Sequence, residues 1–170
     1  MKAELAVAVL AALEAGSAIM EIYESGDFDV TVKGDNSPLT RADLASHEVI
    51  MKHLNATGFP VLSEEGKAIP VLERQAWDTL WIVDPIDGTK EFIKRNGEFT
   101  VNIALVEHGR PVLGVIFVPV SGDLYFGSVE LGARKTQAGS MEWPASEWMP
   151  KSDSIPFDQG DRPHTVVASR

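Results

Sequence analysis

One stretch decides how this chain folds and what it can do: Trp81-Ile82-Val83-Asp84-Pro85-Ile86-Asp87-Gly88-Thr89. Its first three residues continue an apolar run that begins after Thr79, and such a run predicts a buried strand. Pro85 has no N–H to donate to a neighbouring strand, so we expect the chain to turn directly after Asp84. The stretch therefore predicts a buried strand that delivers a carboxylate to its end.

Two carboxylates, Asp84 and Asp87, stand three residues apart across this turn and could point to one side, where they could bridge hard cations. Gly88 lets a ligand approach the backbone closely, and with Thr89 it opens a short helix predicted over 90–94. The N–H groups at the start of a helix favour an anion. A metal site beside a phosphate cradle is one interpretation. The other is that the segment is only a favourable turn, with Asp87 capping the helix.

Further acidic residues lie upstream. Glu64 and Glu65 follow a short apolar segment, and because adjacent side chains on extended backbone point in opposite directions, we expect one of them to enter the site. Asp43 stands three residues after Thr40, as in a capping box. Its functional alternative is to accept a hydrogen bond from the Thr89 hydroxyl, which leaves that oxygen free to accept a proton from water. A solvated acidic loop and a purely structural Asp43 remain open.

The rest of the sequence predicts two long helices and a series of strands. The helices cover Ala3 to Ser25 and the segment from the cap at Thr40 to about Leu54. Strands are expected where apolar runs or alternating patterns lie between turn residues, at 28–33, 61–62, 79–83, 100–107, 111–118 and 124–127. Helices followed by a meander of strands indicate an α+β fold, with an antiparallel sheet packed against two long helices.

Composition restricts the class of protein. The chain is 44% hydrophobic and has no cysteine, as is typical of a globular protein in a reducing compartment. We expect a cytoplasmic location, with association with the cytoplasmic face of the inner membrane as a further option. The 3–25 helix is expected to be too short and too charged to span a membrane.

The net charge of −10 argues against a nucleic-acid partner, because phosphate backbones bind clustered Lys and Arg. A phosphorylated small molecule is still compatible with an acidic protein, provided that divalent cations lie between its phosphate and the carboxylates of the protein. The charge therefore does not exclude a phosphatase, and among phosphatases it mildly favours a metal-dependent one.

Three segments in order, Lys33 to Asp43, Leu62 to Glu65 and Trp81 to Thr89, resemble the three signatures of the inositol monophosphatase superfamily. The continuation from Lys90 to Leu105 is similar to the bacterial 3'(2'),5'-bisphosphate nucleotidase branch (the CysQ type). The resemblance covers roughly residues 33–127. It implies the N-terminal half of an inositol-monophosphatase-like α-β-α-β-α fold.

The resemblance implies two or three Mg²⁺ ions held by oxygen ligands. Glu64, Asp84 and the backbone carbonyl of Ile86 would hold the first ion. Asp84 would bridge to a second ion, which Asp87 also binds. In the family the ions neutralise the phosphate and lower the pKa of the attacking water.

The resemblance also implies the catalytic and substrate-binding residues. Asp43 and Thr89 would orient and deprotonate the water that attacks phosphorus in line. The residues implied to contact the substrate are Glu64, Ile86, Asp87, Gly88 and Thr89. The expected reaction is hydrolysis of adenosine 3',5'-bisphosphate to AMP and phosphate through metal-activated water, with inhibition by lithium and a place in sulfur assimilation.

The domain organisation implied by the resemblance is incomplete. Residues 1–163 would form the N-terminal α+β metal-binding catalytic domain, and 164–170 would begin a second α/β domain. We therefore expect a missing C-terminal domain, which in the family supplies a further aspartate and much of the nucleotide pocket. A homodimer is a further option. Two alternatives remain: an inositol monophosphatase or sugar bisphosphatase, and a truncated, catalytically inactive fragment.

Overall fold

A computed structural model describes residues 3–34, 37–138 and 149–155 of the chain. Four helices and nine strands lie in these ranges. The helices are α1 (Ala3–Ser25), α2 (Arg41–Asn55), α3 (Val71–Gln75) and α4 (Thr89–Ile93). The strands are β1 (Thr31–Val32), β2 (Pro38–Leu39), β3 (Val61–Ser63), β4 (Thr79–Asp87), β5 (Thr100–Glu107), β6 (Arg110–Val118), β7 (Asp123–Ser128), β8 (Gly132–Gln137) and β9 (Asp153–Ile155).

Strands β3 to β9 form one sheet whose spatial order is the order of the sequence. Only the edge pair β3–β4 is parallel; each of the other neighbouring pairs is antiparallel. The two short strands β1 and β2 form a separate antiparallel pair. The predicted α+β fold with a largely antiparallel sheet is confirmed, and the parallel pair at its edge is an addition.

Helices α1 and α2 pack side by side on one face of the sheet, as predicted. The strands alternate accordingly: in β5 every second residue from Val101 to Leu105 is buried beneath the helices. Eleven residues of α1 are buried, which explains why its apolar positions encircle so much of the helix. The core therefore lies between this helical layer and the sheet.

By length and composition α1 could cross a membrane, since an 18-residue window within its 23 residues has a mean hydropathy of 1.8. The expectation that this helix is too short to span a bilayer was therefore wrong. In the fold, however, 56% of that window is buried against the rest of the protein. The apolar composition of α1 is accounted for by its packing in the core.

The opposite face of the sheet is apolar at its centre and is here called the open face. Ile82 is 43% exposed and Ile116 is 47% exposed on this face, and Tyr125 lies beside Ile116 on the adjacent strand. Asp84 and Asn102, which are register partners on β4 and β5, lie toward one end of it. The open face therefore continues directly into the segment from Asp84 to Asp87, which we call the acidic segment.

Several predicted elements differ from the observed ones. The strand expected at 28–33 is reduced to Thr31–Val32, and the connector before β4 contains α3. Strands β8 and β9 were not predicted, because their sequences lack a run or alternation of large apolar residues. The predicted domain boundary at 163 and the predicted start of a second domain at 164–170 lie outside the described residues.

Candidate active site

The end of β4 carries a β-bulge instead of the sharp turn that was expected after Asp84. Asp84 pairs with Asn102 of β5 and Asp87 pairs with Thr100, so three steps along β4 match two along β5. The proline removes one ladder donor, and the bulge accommodates this loss without ending the strand. Both acidic side chains thus stay attached to a rigid strand.

Asp84 has an unusual environment for a carboxylate. Its Oδ1 is buried and has no hydrogen-bond partner within the described parts of the chain. Burial raises the pKa of Asp84, the Glu64 and Asp87 carboxylates raise it further, and it reaches about 7 although the Ile86 backbone opposes the shift. The three acidic groups are therefore close enough to interact strongly.

Glu64 and Glu65 both pair with one cation, which contradicts the expectation that their side chains point in opposite directions. Lys33 Nζ lies 3.1 Å from Glu64 Oε1 and 2.5 Å from Glu65 Oε1. The backbone is no longer extended after β3, because Gly66 N–H donates to the Ser63 carbonyl and closes a turn. Strand alternation therefore does not apply at this pair. The Glu64 side chain is 51% exposed and that of Glu65 is 7% exposed.

Asp43 makes both of the contacts between which the sequence left a choice. It is fully buried, and its Oδ2 accepts hydrogen bonds from the backbone N–H and the hydroxyl of Thr40, as in a capping box. The Thr89 hydroxyl lies 3.0 Å from Asp43 Oδ1, to which it can donate. The same hydroxyl lies 3.3 Å from the carbonyl of Ile86. One carboxylate therefore caps α2 and contacts the residue that opens α4.

Gly88 caps α4 in a conformation that only glycine adopts without strain. Its φ is +99°, and a Cβ built on it would lie 2.9 Å from the Glu98 carbonyl oxygen and 3.3 Å from Phe99 Cα. Both neighbours are backbone atoms, which cannot move aside as a flexible side chain would. A side chain at position 88 would therefore displace the start of α4 from the segment at Glu98 and Phe99.

We expect Gly88→Ala to destabilise the fold more than Gly58→Ala. Gly58 is also left-handed, with φ +79°, but nothing lies within 4 Å of its added Cβ. Both variants should lose about 1–2 kcal/mol of unfolding free energy from the left-handed conformation. Gly88→Ala should lose about 1–3 kcal/mol more through overpacking. Urea unfolding measures both values, and equal losses would contradict the close approach at Gly88.

Two residues that the sequence did not single out also form hydrogen bonds at the candidate site. Asn102 Nδ2 donates to Asp87 Oδ2 at 3.2 Å, across the β4–β5 pair. His47 is hydrogen-bonded through Nδ1 to Ser63 Oγ at 2.9 Å. Burial lowers the pKa of His47, against the opposing effect of Glu65 and Glu48. Cross-strand register and helix packing create these contacts, and neither can be seen in residue spacing.

The residues present fit a hard divalent cation by their chemistry. All the candidate ligands are oxygens, and a buried carboxylate oxygen without a partner at Asp84 is the type of atom that a cation would satisfy. In the described ranges, no group of three or more His, Cys, Asp or Glu side chains is gathered closely enough to hold a metal ion as it stands. Glu64 is paired with Lys33, whose Nζ lies 3.1 Å from Glu64 Oε1.

Comparisons with known proteins assign this chain to a family. The inositol monophosphatase family model matches residues 1–155. A curated relative, the 3'(2'),5'-bisphosphate nucleotidase CysQ of Shigella flexneri, is 54% identical over 132 residues, which are 75% of this chain and 52% of the relative. The CysQ of Haemophilus influenzae is 37% identical over 131 residues. The chain spans about half the length of these curated relatives, and we call the part that it does not match the remaining half of the relatives.

Solved structures agree with this assignment. A crystal structure of CysQ from Bacteroides thetaiotaomicron superposes with a TM-score of 0.83 at 50% identity, covering 96% of this chain and 61% of that one. The extragenic suppressor protein suhB from Bartonella henselae gives a TM-score of 0.72 at 30% identity, covering 79% and 52%. Since the family match covers nearly the whole chain and the fold agrees, the chain belongs to the inositol monophosphatase family.

Proposed function

We propose that this chain carries the catalytic half-site of a magnesium-dependent phosphomonoesterase that converts adenosine 3',5'-bisphosphate to AMP and phosphate. The observation that carries the proposal is the contact between Thr89 and Asp43, which lies beside the cluster of Glu64, Asp84 and Asp87. A hydroxyl and a buried carboxylate next to all-oxygen cation ligands are the parts that phosphate hydrolysis by water requires.

Glu64, Asp84, Asp87 and the backbone carbonyl of Ile86 would hold two or three Mg²⁺ ions. Bound Mg²⁺ would neutralise the phosphate and acidify the attacking water. Asp84 is the best candidate to bridge two ions, because its buried Oδ1 has no hydrogen-bond partner in the described parts of the chain and its carboxyl interacts with those of both Glu64 and Asp87. Lys33 would have to give up its pair with Glu64 as the cations bind, and could then turn to a substrate phosphate.

Proton transfer would run through Thr89 and Asp43. When Thr89 donates its hydroxyl proton to Asp43 Oδ1, the lone pairs of Oγ1 are free to accept a proton from water. Asp43 is held in place by the two hydrogen bonds from Thr40, so its orientation does not depend on the substrate. The backbone N–H groups of Gly88 and Thr89 would bind phosphate oxygens, since the N–H groups at the start of a helix favour an anion.

The choice of substrate is supported by the names of the relatives described above. The curated relatives at 37–54% identity carry the name 3'(2'),5'-bisphosphate nucleotidase, whereas the suhB match is at 30%. Hydrolysis of inositol phosphate or of a sugar bisphosphate is the alternative within the same chemistry. We propose a cytoplasmic location for the activity, with association with the inner membrane as the alternative.

The open face is proposed to receive the remaining half of the relatives. Large apolar side chains such as Ile82 and Ile116 are costly to leave in water, and a patch of this kind marks an interaction surface. The face ends at Asp84 and Asn102, so a polypeptide packed on it would also shield the acidic segment from water. The chain alone would then be a weak or inactive catalyst.

Phosphate release tests the proposal directly. The chain is assayed with Mg²⁺ against adenosine 3',5'-bisphosphate and inositol 1-phosphate, alone and mixed with the separately expressed remaining half of the Shigella flexneri relative. We expect the mixture to release phosphate from the bisphosphate at least about 100-fold faster than from the inositol ester, because a site built for polar groups rejects analogues that lack them. The reverse preference would favour the inositol alternative.

Ile116→Lys is the control for the docking step. A lysine at the centre of the open face should abolish any gain from the added half while leaving the fold of this chain intact, since Ile116 is half exposed. No release from either substrate by the folded mixture would favour the inactive alternative. If the mixture releases phosphate at the same rate with and without Ile116→Lys, the proposed docking surface is contradicted.

A further inference from the structure

One face of α2 contacts every segment of the candidate site. Asp43, Ser46 and His47 stand at positions i, i+3 and i+4 and therefore share that face. The same face continues into the core through Ile50 and Leu54, both fully buried. The first turns of α2 are thus anchored to the core at one end and to the site at the other.

Ser46 holds the bulge of β4. Its hydroxyl donates to the carbonyl oxygen of Pro85 at 2.8 Å, and Ser46 is fully buried. Pro85 lies between Asp84 and Asp87 in the two-residue segment that has no partner in the register with β5. The serine therefore fixes the segment that sets the spacing of the two acidic side chains.

His47 holds the end of β3. Its Nδ1 is hydrogen-bonded to Ser63 Oγ at 2.9 Å, and Ser63 directly precedes Glu64. The Glu64 backbone is tied to β4 as well, because its N–H donates to the Val83 carbonyl. The histidine thus links α2 to the third acidic residue, as Ser46 links it to the other two.

We propose that Ser46 and His47 are positioning residues that hold β3 and the β4 bulge at the separation needed for Glu64, Asp84 and Asp87 to share divalent cations. The proposal rests on the proposed function, and it adds two residues that act through the backbone without contacting the substrate. Each hydrogen bond links elements far apart in sequence, 39 residues for Ser46 and 16 for His47. Ser46 and His47 bind the residues next to the proposed ligands, and like the outer partners of metal ligands they would influence metal affinity by fixing the orientation of those ligands.

Binding of Mn²⁺ to the purified chain, followed by electron paramagnetic resonance, tests the proposal without any need for turnover. Ser46→Ala and His47→Leu should each weaken Mn²⁺ binding by about 10-fold, at the low end of the range for outer partners of metal ligands. His47→Asn should retain most of the affinity, because the Asn side chain can place a polar atom near the position of Nδ1. The free energy of unfolding in EDTA should change by less than the free energy of Mn²⁺ binding does.

His53→Leu is the matched control on the same helix. His53 pairs with Glu14 of α1 at 2.8 Å and contacts none of the three acidic segments, so its loss should leave Mn²⁺ binding unchanged. If folded Ser46→Ala and His47→Leu bind Mn²⁺ as tightly as the parent chain, the inference is overturned while the metal site stands. If the folded parent chain binds no Mn²⁺, the metal assignment in the proposed function is overturned together with the inference.

Discussion

Asp84→Asn is expected to abolish magnesium-dependent phosphate release while making the cation-free protein more stable. In the mixture with the remaining half of the relatives, turnover should fall at least about 1000-fold, or about 4 kcal/mol of barrier. This is the scale of charge stabilisation that a bridging carboxylate supports through its metal ions. In EDTA the same substitution removes a partly buried acid repelled by Glu64 and Asp87, so the unfolding midpoint should rise.

The stability that Asp84→Asn gains in EDTA should depend on pH in a definite direction. The pKa of Asp84 is raised from its ordinary 3.8 to about 7 in the folded protein. The folded state therefore holds this proton more tightly than the unfolded state does. The contribution of Asp84 to stability is full at low pH and is lost as pH rises through about 7. The advantage of Asp84→Asn in EDTA should grow between pH 5 and pH 8.

Asp123→Asn provides a control of opposite sign. A hydrogen bond from Lys135 lowers the pKa of the Asp123 carboxyl, so its ionised form is favoured by folding. Replacing it should not raise the unfolding midpoint at pH 8 and should leave metal-dependent turnover unchanged. Normal turnover by Asp84→Asn would contradict the assignment of Asp84 as a metal ligand. Lower stability than the parent in EDTA at pH 8 would contradict the repulsion between Asp84, Glu64 and Asp87.

The second large effect concerns Asp43, whose two roles can be separated by substitution. Thr89→Val removes the hydroxyl that can donate to Asp43 Oδ1 and should lower turnover by about 10²–10⁴, the range of general acid–base catalysis. Thr89→Ser keeps the hydroxyl and should keep most of the activity. Thr40→Ala removes the cap on the other side of Asp43 and should cost about 1 kcal/mol of stability with little loss of turnover.

Asp43→Asn should show both losses. An amide cannot accept hydrogen bonds on both sides, so one of the buried groups of Thr40 or Thr89 loses its acceptor, at a cost of about 1–3 kcal/mol. Turnover should fall as far as in Thr89→Val. Phosphate release and urea unfolding on the same four variants separate the two roles. Normal turnover in Thr89→Val would remove the hydroxyl from the mechanism.

Local signals in the sequence predicted most of the helical layer. The bounds of α1 are confirmed at both ends, because a charged start and a glycine at position 26 with φ +72° limit a continuous apolar segment. The capping box at Thr40 is confirmed for the same reason, since it depends on residues only three apart. Features that depend on a few neighbouring residues could therefore be predicted from the sequence.

Features that depend on register could not be read. The strand ending at Val83 in the prediction runs to Asp87, because a bulge keeps the chain in the sheet past Pro85. The contact of Asn102 with Asp87 and that of His47 with Ser63 exist only once β5 and α2 are docked. The contact of Thr89 with Asp43, by contrast, was anticipated, because the family resemblance supplied what spacing alone left open.

The open face also has a consequence for biosynthesis. In a longer member of this family, the ribosome completes helices α1 and α2 and strands β3 to β7 well before the rest of the chain emerges. At roughly 5–20 residues per second, Ile82 and Ile116 would then be exposed to solvent for about ten seconds. A nascent chain in that state is a natural client for chaperones. Slower translation of the downstream codons should lengthen that engagement.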